Sequence, residues 1–166
     1  VSFADVETQL NRIITEKCPH LVKDTARVLL VGCGNSPFSY GVYKSGYKNT
    51  TSIDYSEPVI AAMNEQYPES DNDGLKWIVQ DMTAMTFDDN TFDIVIDKAA
   101  MDALMVDEGD VWNPDPTVIQ KSKDMCECIS RILAPKGIHL HISFAQHHFR
   151  LKYLNGEHSE SDFGWD

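Results

Sequence analysis

A buried strand that stops at two glycines limits what this chain can fold into. Residues 27–39 read RVLLVGCGNSPFS. The branched apolar run ends abruptly at Gly32-Cys33-Gly34, and polar Asn35 and Ser36 lead into Pro37. Continuously apolar strands are those covered on both faces, as in a parallel sheet. Two glycines one residue apart, between such a strand and a helix, let a ligand come close to the backbone.

Strand and helix signals alternate along the rest of the chain. Ser2 caps a helix with Phe3, Val6, Leu10, Ile13 and Ile14 on one face, ended by Cys18-Pro19-His20. After the first strand (27–31), a short helix spans 38–45 and stops at Gly46. Strand 50–53 ends at Asp54, and Ser56 caps a helix facing inward through Val59, Ile60, Met63 and Tyr67. Past a polar loop, strand 75–79 runs into Gln80-Asp81, and strand 92–96 into Asp97. A short helix (99–106), an acidic loop (107–115) and a long helix (117–133) follow, the last with Ile119, Met125, Ile129, Ile132 and Leu133 inward. Pro135-Lys136-Gly137 reads as a turn before strand 138–144 and a helix over 147–154. The alternation predicts an α/β fold with a doubly wound, mainly parallel sheet. Residues 1–154 form the domain, and 155–166 an acidic tail or the start of a further hairpin, apolar only at Phe163 and Trp165.

Composition excludes several classes. The chain has 166 residues, enough for one domain to bury a core. Its formal charge of −12 argues against a nucleic-acid backbone as partner and suits a basic protein, or simply solubility. No apolar run is long enough to cross a bilayer and nothing resembles a signal peptide, so the expectation is a soluble, cytoplasmic protein. Cys18, Cys33, Cys126 and Cys128 fit no zinc or disulfide spacing and read as reduced thiols. His139 and His141 share one face of a strand, but no third ligand stands at a sensible spacing, so no metal site is expected. The chain begins at Val1 and not Met, which reads as a trimmed chain. Nothing in the pattern sets an oligomeric state.

In such a fold, ligands bind outside the carboxyl ends of the strands. Those tips hold Gly32-Cys33-Gly34, Asp54, Asp81 and Asp97. Asp54 stands twenty residues beyond Gly34, where a carboxylate can accept both hydroxyls of a ribose. A dinucleotide site asks for a third glycine, and Pro37 stands in its place. The residues therefore favour another adenosine-bearing ligand over NAD.

The same residues resemble a family. VLLVGCGNSPFSYGVYKSGYKNTTSIDYSEPVIAAM is similar to the first two motifs of class I S-adenosylmethionine-dependent methyltransferases, which have a Rossmann-like fold. DNTFDIVIDKAAMDAL resembles a narrower methyltransferase-like branch that includes lysine methyltransferases of translation elongation factor 1-alpha. The resemblance runs from about residue 28 to about residue 154. It implies that S-adenosyl-L-methionine is the cofactor, S-adenosyl-L-homocysteine the product, and a protein lysine the acceptor, with elongation factor 1-alpha a candidate partner. It implies that Gly32, Cys33 and Gly34 pass the methionine and ribose of the cofactor, with Asn35 and Ser36 nearby. Asp54 would hold the ribose, Tyr55 flank the adenine, and Asp81 and Met82 contact the adenine edge. Asp97 would stand beside the methyl group as the catalytic residue that orients the acceptor, with Lys98 behind it. Met101, Asp102, Phe144, His147 and Phe149 are the candidate acceptor walls.

Three departures accompany the resemblance. Ala99-Ala100-Met101 stands where the branch has Gly-Thr-Leu. The aromatic-rich segment before the first helix is absent, and the strand hairpin that closes the family sheet after an FGW-like element is absent beyond Phe163-Gly164-Trp165. The fifth strand would then carry a bare edge, a liability for association. The alternatives are methyl transfer to a small molecule, a non-catalytic interaction module, and an NAD-dependent oxidoreductase.

Overall fold

A computed structural model describes residues 2–165. Val1 and Asp166, the outer limits of the expected domain and tail, lie outside the described residues. The elements in chain order are α1 (Phe3–Lys17), β1 (Arg27–Val31), α2 (Phe38–Lys44), β2 (Asn49–Asp54), α3 (Glu57–Gln66), β3 (Leu75–Val79) and β4 (Phe92–Lys98). Then come α4 (Ala100–Leu104), a 3₁₀ turn (Met105–Asp107), β5 (Gly109–Asp110), β6 (Asn113–Pro114), α5 (Pro116–Ile132), β7 (Leu133–Ile142) and α6 (His147–Leu154). Five strands form one sheet in the order β3-β2-β1-β4-β7, every pair parallel. The chain winds outward from β1 to β3, then returns to place β4 on the other side of β1. The β1–β4 boundary is thus the switch point, where Val31 lies opposite Asp97.

Alternate residues of the central strands feed two cores. Val28 and Leu30 of β1, with Ile94 and Ile96 of β4, meet Leu10 and Ile14 of α1 and Phe38 and Val42 of α2. Leu29, Val31 and Val95 meet Met101 of α4 and Met125, Cys126, Ile129 and Ile132 of α5. Full burial of each such aliphatic side chain contributes about 1.5–3 kcal/mol. The inward face of α5 departs from the sequence expectation: Val118 and Cys126 are buried, while Ile119 is only partly so.

Three local features also differ. The turn expected at Pro135-Lys136-Gly137 is a bulge inside β7, with Lys136 at φ +65° and a register shift opposite Phe92 and Ile94. The chain keeps pairing with β4 across it, so the strand is not broken. The same strand ends at Ile142, two residues early, because Ser143 Oγ and the Phe144 N–H both turn to Asp102. The acidic loop contains the β5–β6 hairpin. Beyond α6 the chain folds back: Phe163 is buried, its carbonyl accepts a bond from Ser130 Oγ, and Trp165 Nε1 donates to the Leu154 carbonyl at 2.8 Å. Among the described residues, β7 pairs on one side only, which leaves the expected free edge.

Candidate functional site

The turn after β1 has the backbone its sequence requires. Gly32 and Gly34 take φ +56° and +57°, a region that side chains with a Cβ disfavour. A Cβ on Gly32 would stand 2.6 Å from the Ala100 Cβ, whereas one on Gly34 would meet nothing within 4 Å. The first glycine lets α4 close onto the turn. The second faces open space, which leaves room for a ligand over the backbone directly beside Asp54.

Asp54, at the tip of β2, is buried and joined to this turn. Its Oδ2 accepts the Gly34 N–H at 2.9 Å and its Oδ1 the Ser56 N–H at 3.0 Å. Each carboxylate oxygen keeps a further acceptor position, enough for two hydroxyl donors. Tyr55 is 80% exposed beside it, and Asn35 and Ser36 complete the lip of the turn, where the Phe38 N–H donates to Ser36 Oγ. Burial, with the Asp54 charge beside it, pushes the Cys33 thiol up to about 12, so it stays protonated. Met82 approaches the turn, its sulfur 3.6 Å from the position a Gly32 Cβ would take. Asp81 is exposed, and its Oδ1 accepts both the N–H and the hydroxyl of Thr83 at 2.8 Å. It therefore organises its own turn, with its second oxygen unengaged among the described residues.

On the acceptor side three of the expected residues are engaged within the fold. Asp97 is fully buried and both oxygens are engaged. Oδ1 accepts the Ala100 and Met101 N–H groups at 2.7 and 3.3 Å, and Oδ2 lies 2.7 Å from His141 Nδ1. It caps α4 and fastens β7, and its full burial keeps it from meeting an incoming group directly in this conformation. Met101 is fully buried in the core beneath α4 and offers no wall. Asp102 accepts Ser143 Oγ at 2.7 Å, Arg150 Nε at 2.8 Å and the Phe144 N–H at 2.9 Å. Burial pushes the Asp102 carboxyl up, but those donors more than offset it and hold it below the usual carboxylate range.

Lys98 sits behind the site with its Nζ 5.8 Å from the Phe38 ring. Phe144 and His147 are exposed at the end of β7 and the start of α6, and Phe149 is half-buried. These three remain the surface residues of the expected acceptor side. A separate cavity of about 480 Å³ opens at the amino ends of the strands, lined by Arg27, Asn49, Gly74 and Phe92 among others, away from the tips.

Arg150 and Tyr153 escape the sequence reading, which takes Glu108 only as part of the acidic loop. Arg150 is buried, and its Nη1 lies 3.6 Å from Glu108 Oε2. Tyr153 donates its hydroxyl to Glu108, which is itself buried. His141 was read only as a partner of His139. Strand pairing was the available signal for it, since β4 and β7 end side by side and Asp97 pairs with position 141. No local pattern announces Arg150 or Glu108, because their partners lie on other elements.

Comparisons with known proteins supply the family. The methyltransferase domain model matches residues 22–163. The chain is 33% identical over 163 residues to mouse EEF1A lysine methyltransferase 4, covering 98% of this chain and 60% of that protein. It is 38% identical over 144 residues to mouse eEF1A lysine and N-terminal methyltransferase, covering 87% of this chain and 19% of that one. The chain thus spans about three-fifths and one-fifth of these relatives. Among solved structures it is similar to the SAM-bound amino pentose methyltransferase of Micromonospora echinaspora, with TM-score 0.61 and 21% identity over 87% of this chain and 52% of that one. That likeness speaks for the doubly wound, Rossmann-like fold. With the family model covering most of its length, this chain belongs to the methyltransferase domain family.

Proposed function

We propose that the chain is the cofactor-binding part of an S-adenosylmethionine-dependent protein-lysine methyltransferase that acts on EEF1A in the cytoplasm. The observation that carries the reading is the cradle at Gly34, roofed by nothing and held to Asp54 by a 2.9 Å hydrogen bond. The names of the relatives support the acceptor, and a structural neighbour with SAM bound supports the cofactor.

Gly32, Cys33, Gly34, Asn35 and Ser36 would pass the methionine and ribose portion, and Asp54 would accept the ribose hydroxyls. Tyr55, Asp81 and Met82 would border the adenine. Bound there, S-adenosylmethionine supplies an electrophilic methyl group. The neutral Cys33 thiol, though adjacent, does not compete as a nucleophile, since only the thiolate is strongly nucleophilic.

An acceptor lysine must arrive neutral, which costs about 4–5 kcal/mol at neutral pH from its reference pKa. A free carboxylate facing it would hold the proton on. Asp97 and Asp102 each bind three internal partners, so neither presents a bare charge to the acceptor. Phe144, His147 and Phe149 would form its walls.

Titration calorimetry with S-adenosylmethionine, S-adenosylhomocysteine and NAD tests the reading. The first two should bind, NAD should not, and Asp54→Ala should abolish binding. Transfer of labelled methyl to purified EEF1A then tests the acceptor. Binding of NAD alone, or unchanged affinity in Asp54→Ala, would overturn the assignment.

A further inference from the structure

Seven large apolar side chains are exposed among the described residues, and four of them, Val106, Trp112, Phe144 and Leu151, lie on segments that bond to one another: the 3₁₀ turn, the β5–β6 hairpin, the end of β7 and α6. Scattered single exposures need no explanation, but a cluster marks an interaction surface. Trp112 sits in the turn of the β5–β6 hairpin, 72% exposed. Its ring is braced on two sides, by Phe149 edge-on at 6.0 Å and by Lys152 Nζ 5.3 Å from its centroid, while its backbone N–H donates to Asp110 Oδ1. A tryptophan held in one orientation yet open to solvent has already lost most of the rotamer entropy that binding would cost.

The hairpin is anchored as firmly. Arg150 of α6 bonds Asp102 of α4 and reaches Glu108 at the hairpin base, and Tyr153 of α6 closes on the same Glu108. Asp102 also holds the Phe144 N–H. The surface is therefore continuous with α4, and α4 packs through Ala100 against Gly32 in the cofactor turn.

Its charge names the partner. Glu108 is neutralised internally, but Asp107 and Asp110 stand exposed beside Trp112 on a chain of net charge −12. The ring already holds one ammonium, that of Lys152, and an indole attracts cations through either face. We infer that the β5–β6 hairpin and α6 form a docking surface for a lysine- or arginine-rich segment of the protein acceptor, anchored by Trp112 and rimmed by Asp107 and Asp110. The inference rests on the protein-acceptor reading above. It adds where that acceptor is gripped away from its reacting lysine.

Biolayer interferometry with purified EEF1A as the probe tests it. Trp112→Ala should weaken binding at least about tenfold, as for a central aromatic anchor. Asp107→Asn with Asp110→Asn should slow association and flatten its salt dependence. Val22→Ala, an exposed apolar change remote in sequence, should alter nothing. Equal affinity in wild type and Trp112→Ala, or no binding by the wild type, overturns the docking surface. Methyl transfer is scored separately. A chain that binds EEF1A through Trp112 but transfers no methyl sinks the enzyme reading and keeps the surface. One that methylates EEF1A with the same KM in every variant keeps the enzyme and sinks the surface.

Discussion

Gly32 and Gly34 share a backbone conformation and differ in what lies above them. An alanine at either position meets the left-handed penalty of roughly 1–2 kcal/mol. At Gly32 the added methyl also meets Ala100 at 2.6 Å, so α4 must move. At Gly34 it meets nothing and fills the cradle instead. Gly32→Ala is expected to lower stability by about 2–4 kcal/mol, the backbone term plus overpacking. Gly34→Ala should lose only the backbone share and bind S-adenosylmethionine far more weakly than its stability loss explains. Thermal melts beside calorimetric titration separate the two, and the reverse ranking would refute this division. The pair of glycines was visible in the sequence, but their separate tasks were not, because Ala100 reaches the turn from α4. The same holds for Ala99, which adopts φ +62° where the family pattern carries glycine. An L-residue tolerates that conformation there because α4 is fixed from both ends, by Asp97 and by Asp102.

Among elements, α4 joins the glycine turn after β1 to the end of β7. It has five residues, too short to be stable by its own hydrogen bonds. The Asp97 carboxylate supplies what it lacks, capping the first turn and tying His141 of β7 to the same point. Asp97→Asn keeps an acceptor for Ala100 but presents an amide to His141 Nδ1, whose ring would have to shift its proton to a buried Nε2 that has no partner. A loss of about 1.5–3 kcal/mol is expected, the worth of a charge-assisted hydrogen bond. Urea denaturation measures it, and the folded fraction should still bind cofactor. Normal stability with abolished turnover would restore a direct catalytic role. The elements that formed as read are those with strong local signals. β1 and β3 have continuous or flanked apolar runs, α1 has its Ser2 cap, and α6 matches to the residue. The β5–β6 hairpin and the bulge at Lys136 were illegible for a physical reason. Two-residue strands carry no periodicity, and a bulge is held by its neighbour strand and not by its own sequence.

The whole molecule adds a property that neither residues nor elements hold alone. The polar segment after α6 brings Phe163 and Trp165 onto the sheet face that carries His139, with the Trp165 ring 5.5 Å from the imidazole. His139 is partly buried there beside His141 and Asp97, its Nε2 shielded and without a partner among the described residues. Burial drives its pKa down from 6.5 to about 4, the Asp97 charge opposing and His141 adding slightly to the fall. Between those two values the unfolded chain binds a proton that the folded chain refuses, so the unfolded state carries more protons and stability rises with pH. The contribution is complete above the unfolded value, declines as pH falls below about 6.5, and levels off below about 4, a loss of about 3 kcal/mol in all. The depressed carboxylates Asp93 and Asp102 act in the same direction but at lower pH, below their ordinary value of 3.8. Burial also lowers His158, which adds a smaller share in the upper window. Unfolding free energies measured in urea at pH 7, 6 and 5 should therefore fall progressively, and His139→Phe should flatten most of that slope. Substituting Trp165 with alanine should flatten it too, by letting water reach the imidazole. A wild-type profile level from pH 7 to 5 would mean that the returning segment does not shield His139.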